Sequence, residues 1–311
     1  QVIQDLQRLY QVEAEAIVCD SHPQYASTRW AQDQQFPLVH VQHHRAHASS
    51  LVADSIDSSD QLHETGLVFT WDGVGYGDDG RFWGGEVFLG QPGNWQRLAS
   101  LRTFRLSGGD RVPHEPWRSA AARHWDLEET YPGSEAETLA HVAWQNGLNS
   151  FETSAVGRLF DAAAAICGLV HTTSHEGEAP MRMEAIAEMV DTADALPLAD
   201  DEQGIVRIDW EPLFYALKDQ SRSVAYRSGY LHAVLANTIV AISRSQMATH
   251  DIDYVGLSGG VFQNRLLTEQ VVGRLEDAGI TCRIHQDIPA NDGGISYGQI
   301  IEYAVINGQA D

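Results

Sequence analysis

An α/β fold with a helical insertion is what the sequence predicts, and three observations predict it. Apolar runs of strand length alternate with longer segments of helical periodicity. Glycine and aspartate gather at the ends of those strands. Between about 111 and 247, helical patterns follow one another and take up most of the middle of the chain.

Taken in order, "QVIQDLQRLYQVEAEA" repeats Val2, Ile3, Leu6 and Leu9 at helical spacing, so a helix is expected over 1–13. "AIVCD" reads as a strand, 25–34 as a short helix, "PLVHVQ" as a second strand, and His43 to about Ser55 as a helix. Residues 66–90 read as a β-hairpin, because two apolar stretches flank a Gly/Asp-rich turn. Helices are expected at 115–125, 134–146, 154–169, 177–192 and 223–247, with the acidic stretch 191–203 as a loop. "YVGLSGG" is a strand, 262–279 a helix, "TCRIH" a strand, and 293–306 a closing helix. The chain opens inside an amphipathic pattern and without methionine, which is the expectation for a polypeptide whose preceding segment has been removed.

Charge narrows the function classes. A net charge of −23 with a single lysine, Lys218, argues against nucleic-acid binding as the main task, since that affinity comes from Lys and Arg opposite phosphates. No apolar run approaches the roughly 20 residues that span a bilayer, so no membrane partner is expected. Cys19, Cys167 and Cys282 are odd in number and far apart, which suits neither a zinc pair nor a disulfide framework and fits a reducing cytoplasm.

Chemistry concentrates in three places. "VQHHRAHASS" puts His43 and His47 one helical turn apart on a common face, with His44 pointing elsewhere. Two histidines at that spacing also fit an ordinary buried or surface helix. "TWDGVG" places Asp72 at a strand end, and "IPANDGGISYG" places Asp292 between a strand and a helix, where either also serves a turn or a cap. Together the four form a set suited to Fe(II), Zn or Mn. In "LSGGVFQNRLL", Ser258, Gly259 and Gly260 offer backbone amides to an anion or nucleotide, with Gln263 and Asn264 adding side-chain amides; a tight β-to-α turn would use the same glycines. There is no Walker A motif, which excludes a P-loop ATPase.

Those stretches, with "HPQYAST", "FTWDGVGYGDDGRFWGGEVFLG", "GGDRVPHEPWRSA", "GRLFDAAAAICGL" and "HEGEAPMRME", resemble the carbamoyltransferase domain of the HypF hydrogenase maturation factors over essentially the whole chain. The resemblance implies a two-lobed actin-like fold (sugar kinase/Hsp70/actin) with an incomplete amino-terminal lobe. Residues 1–65 and closing helix 293–311 would belong to that lobe, and 66–292 to the other, with the insertion at about 111–247. It implies His43, His47, Asp72 and Asp292 as ligands of a divalent Fe or Zn. Asp161, Gly177, Gly259, Gly260 and Asn264 would hold the adenosine part of a carbamoyl-adenylate derived from ATP. The implied reaction moves carbamoyl to the C-terminal cysteine of a HypE-type partner, on the route to the cyanide ligands of nickel–iron hydrogenase. An adenylate-forming domain upstream in the same polypeptide would supply the substrate. Cys19, Cys167 and Cys282 are then expected to be structural. Glu178 stands where the family carries an amide, a departure expected to alter nucleotide contacts. Small-molecule O-carbamoyl transfer, or a non-catalytic nucleotide-binding scaffold, are the rival readings.

Overall fold

The computed structural model describes residues 2–56 and 58–308. The chain begins with α1 (Val2–Tyr10), β1 (Ile17–Asp20), α2 (Ala26–Gln32), β2 (Leu38–Val41) and α3 (His43–Asp54). The expected hairpin is β3 (Gly66–Tyr76) with β4 (Phe82–Gln91), followed by β5 (Asn94–Leu101) and β6 (Phe104–Ser107). Next come α4 (Pro116–Asp126), α5 (Glu135–Gln145), β7 (Ser150–Thr153), α6 (Val156–Ile166), α7 (Glu178–Ile186), β8 (Leu198–Asp200), β9 (Val206–Ile208), α8 (Glu211–Lys218) and α9 (Val224–Met247). β10 (Tyr254–Ser258), α10 (Arg265–Asp277), β11 (Cys282–Ile284) and α11 (Ile295–Ile306) complete the order.

β1 and β2 pair in parallel as a small sheet of their own. The large mixed sheet runs β11-β10-β3-β4-β5-β9-β8, with β7 pairing β4 and β6. β3 is its pivot: it runs parallel to β10 and antiparallel to β4. Because side chains alternate along a strand, Leu67, Phe69 and Trp71 enter the main core with helices α6, α9 and α10. Val68 points the other way, into a second cluster with Ala48, Leu51 and Val52 of α3. Helices therefore cover both faces, and each face of β3 reads as apolar.

Several elements differ from the sequence reading. The segment 111–247 is not wholly helical, since β7, β8 and β9 lie within it and extend the sheet. The acidic stretch contains β8, which pairs with β9 although all three of its residues are exposed. A three-residue edge strand with no buried face has no alternating pattern to betray it. β5, β6 and α8 were also missed. The helix expected over 177–192 stops at Ile186, after which the Glu188 amide donates to the carbonyl of Ala225. The helix expected from 262 starts at Arg265, where the Asn264 side chain accepts from the Leu267 amide and caps it. Helix 1–13 ends at Tyr10, while Gln1 and residues 309–311 lie outside the described residues.

α3 is seated between the sheet and α11. Its start is fixed by Gln42, whose side chain accepts from the Arg45 amide at 2.9 Å. Gly298 lets α11 lie directly on α3, because a Cβ there would come within 1.8 Å of the Ala46 carbonyl oxygen. Backbone cannot yield as a flexible side chain can. Gly298→Ala is therefore expected to lower unfolding stability by about 1–3 kcal/mol or more, as overpacking does. Denaturant unfolding checks this, and a change under 0.5 kcal/mol would contradict so close an approach.

Candidate functional site

Three elements deliver four side chains to one point. α3 presents His43 and His47, the glycine-broken middle of β3 presents Asp72, and the turn before α11 presents Asp292. One ligand atom from each lies within 4.8 Å of all the others. His43 Nε2 is 3.3 Å from Asp72 Oδ2 and 3.6 Å from Asp292 Oδ1, and His47 Nε2 is 3.5 and 3.6 Å from the same oxygens. Gly75 makes room for the imidazoles, since a Cβ there would meet His44 at 2.4 Å and His43 at 2.7 Å.

The residues fit a cation by two tests. Ligands about 2.0–2.1 Å from a tetrahedral ion lie about 3.3–3.4 Å from one another, close to the spacing found. Both ring nitrogens of His47 are buried without a hydrogen-bond partner, an unfavourable state for a polar group unless something else satisfies it. Burial opposes charge on His43, but Asp20, Asp292 and Asp72 outweigh it and raise its pKa well above 6.5. Burial likewise works to raise the pKa of Asp72, yet the two histidines hold it well below the usual value. The same opposition leaves Asp292 at about 2. Both carboxylates are therefore ionised. His44 stays out of it: burial first, then the neighbouring imidazoles, push its pKa well below 6.5, and its Nδ1 faces the Gln42 amide at 3.2 Å.

A cavity of about 670 Å³ opens beside the four, lined by Asp72 and Asp292 together with Arg158, Gly177, Gln263 and Asn264. Gly260 also lines it. Its amide, however, is directed to Asp72 Oδ1 at 3.3 Å, and the amide of Gly259 donates to the Ala290 carbonyl at 2.8 Å. The glycine turn thus spends these amides on holding Asp72 and the Asp292 loop, where the sequence reading had offered them to an anion. Gly259 itself is pressed against β3, a Cβ there coming within 2.3 Å of the Trp71 carbonyl. Asp161 does not line the cavity. It is buried beneath, its carboxylate 3.0 Å from the Arg158 guanidinium, and burial raises its pKa to about 6. Glu178 does not line it either, since it accepts from the Ser174 amide and pairs with Arg182. A second cavity of the same size, between α4 and α5, contains none of the predicted site residues and is lined by Trp125, Trp144 and several carboxylates.

Sequence reasoning missed two residues. Asp20, at the end of β1, holds His43 Nδ1 at 2.8 Å and accepts from the His22 amide at 2.7 Å. It fixes the ring so that Nε2 faces the other three ligands, as carboxylates behind metal-binding histidines do. Arg158 pairs with Glu176 at the cavity wall and supplies it with a guanidinium. We expect purified protein to bind one divalent cation per chain, His47→Ala to abolish this, and Asp20→Asn to weaken it by about 10–100-fold. Elemental analysis and calorimetric titration check both, and equal binding by all three proteins would contradict the assignment.

Residues 68–299 match the family model described as carbamoyltransferase, Kae1-like domain, second subdomain, and residues 1–54 match the HypF Kae1-like domain. The carbamoyltransferase HypF of Rhodobacter capsulatus is 36% identical over 309 residues, 96% of this chain and 40% of its own length. That of Synechocystis sp. is 32% identical, over 97% of this chain and 42% of its own. This chain thus spans about two fifths of those relatives, but 77% of a HypF homolog from Cupriavidus necator, at 32% identity. Among solved structures, full-length HypF in its phosphate- and nucleotide-bound form aligns with a TM-score of 0.88 at 28% identity, covering 98% of this chain and 49% of that one. HypF of T. kodakarensis shares the fold, with a TM-score of 0.83 at 24% identity, covering 99% of this chain and 44% of that one. The chain belongs to the HypF carbamoyltransferase family and carries the family's Kae1-like region.

Proposed function

We propose that this chain transfers a carbamoyl group from carbamoyl-adenylate to a cysteine thiolate of a HypE-type partner, in the maturation of nickel–iron hydrogenase. The observation that carries the reading is the meeting of four cation-ligating side chains with the wall of one cavity of nucleotide size. The phosphate- and nucleotide-bound relative supports that occupant. In the reaction the thiolate sulfur bonds to the carbamoyl carbon, the bond from that carbon to the phosphate oxygen breaks, and AMP leaves with the electron pair. His43, His47, Asp72 and Asp292 would hold a divalent Fe or Zn, whose chemistry there would be Lewis acidity toward the carbamoyl or phosphate oxygen.

The chain's own groups do the rest. Gly177, Gly260, Gln263 and Asn264 shape the cavity for the adenosine portion, while Arg158 offers its guanidinium to the phosphate, the pairing its planar fork suits. Asp161, buried against Arg158, holds that guanidinium in place and reaches the nucleotide only through it. No thiol of this chain takes part. Burial raises the pKa of Cys19 and pushes Cys167 and Cys282 to about 11 and 12, which keeps all three un-ionised. They are unpaired, in keeping with a cytoplasmic setting, and no helix among the described residues is long and apolar enough to cross a membrane.

In the same reading the fold is the two-lobed actin-like one, with 1–65 and the closing helix in one lobe and 66–292 in the other. An upstream region of the polypeptide makes the adenylate, which accords with relatives more than twice as long. With radiolabelled carbamoyl-adenylate supplied, label is expected on a partner cysteine, and His47→Ala should slow transfer by at least about 100-fold. Label arriving on a small alcohol and on no cysteine would favour the O-carbamoyltransferase reading instead. Equal transfer by wild type and His47→Ala would contradict the metal's role.

A further inference from the structure

We propose that Asp54, at the last turn of α3, is a positioning residue that sets Asp292 in the metal centre by clamping the backbone that leads to it. Asp292 needs such help. Its side chain is 69% exposed, and at the centre it meets the two histidines only at 3.6 Å. Its place is therefore decided by its backbone, on the loop after β11.

That loop is gripped by one carboxylate. Asp54 accepts from the Gln286 amide at 2.7 Å, the Asp287 amide at 3.2 Å and the Ile288 amide at 3.1 Å, with its side chain only 4% exposed. Three consecutive amides converging on a buried carboxylate hold a segment firmly, because each lost partner would leave a donor to be desolvated for nothing. Pro289 follows at once, stiffening the short span to Asp292. The Gly259 amide then takes the Ala290 carbonyl. Asp54 lies seven residues after His47, two turns along the same helix face. One helix thus carries two ligands and the clamp for a third.

A second path reinforces the first. His285 Nδ1 is 3.4 Å from Asp54 Oδ2, and its Nε2 is 2.9 Å from the Ser258 hydroxyl. That hydroxyl donates to the backbone carbonyl of His47 at 2.9 Å. Asp54 thus grips the loop that bears Asp292 and packs against His285, whose other nitrogen meets the Ser258 hydroxyl at the start of the glycine turn, beside the backbone of His47. Displacing it shifts ligands relative to each other and leaves each ligand's own chemistry intact.

The inference rests on the metal-site reading, and the test separates the two. Co(II) is titrated into the protein against a competing chelator, and hydrogen–deuterium exchange is followed over 286–292. Asp54→Asn keeps the size but points an amide group at amide donors. It should weaken Co(II) binding by about 10–100-fold, change the Co(II) absorption bands, and speed exchange in 286–292 while distant segments stay protected. Should that variant not fold, Ser258→Ala breaks the second path and is read in the same titration, with a loss of about 2- to 10-fold, the worth of one hydrogen bond. Wild-type protein that takes up no Co(II) overturns the metal-site reading and this inference together. Wild-type protein that binds it, with the folded variant's affinity within twofold, overturns this inference alone.

Discussion

The contact of α3 with α11 on one side and β3 on the other is the constraint from which the site follows. Only glycine at 298 allows α11 to reach the α3 backbone, and only glycine at 75 leaves room for the histidines over β3. Side chains separated by some 250 residues along the chain are thereby brought within a few ångströms. The apolar side of α3, Ala48, Leu51 and Val52, is buried against Val68 and Phe88. Burial of that face is the term that holds the helix in place, since hydrophobic area removed from water is the dominant favourable term in packing.

Given that seat, the polar residues of α3 are committed to the site. His43 and His47 are buried with little to bond except carboxylates, and Asp20 and Asp72 reach them from two different sheets. A buried cluster of this kind is costly unless each atom finds a partner. The unpartnered nitrogens of His47 and the convergence of four ligand atoms both point to a positive ion as that partner. The cavity opens on the side of Asp72 and Asp292, so a ligand entering it meets the carboxylate side of the centre first.

Much of this was legible in the sequence, for identifiable reasons. The i, i+4 histidines, the hairpin around Asp72 and the long amphipathic helices announce themselves through period and turn chemistry. The four ligands could be grouped because each has the residue type a cation needs. What stayed hidden depends on tertiary neighbours. β8 is three residues long and pairs at the sheet edge without a buried face, and β9 is too short, at three residues, for its buried Ile208 to announce a period. That Asp161 is buried against Arg158, and that the Glu178 carboxylate turns to Ser174 and Arg182, likewise depends on neighbours the local sequence does not show. The amides of Gly259 and Gly260 were read as free for an anion, because nothing local reveals that Ala290 and Asp72 occupy them. Asp20 and Asp54, which bond to His43 and to the loop before Asp292, carry no motif of their own. Their roles exist only once β1, α3 and the loop at 286–288 are in place.

X-ray absorption on protein loaded with a single equivalent of Zn(II) tests the central claim most directly. The account predicts a first shell of nitrogen and oxygen alone at about 2.0–2.1 Å, with the outer-ring scattering of two imidazoles. A shell containing sulfur at about 2.3 Å, or one without imidazole scattering, would contradict it.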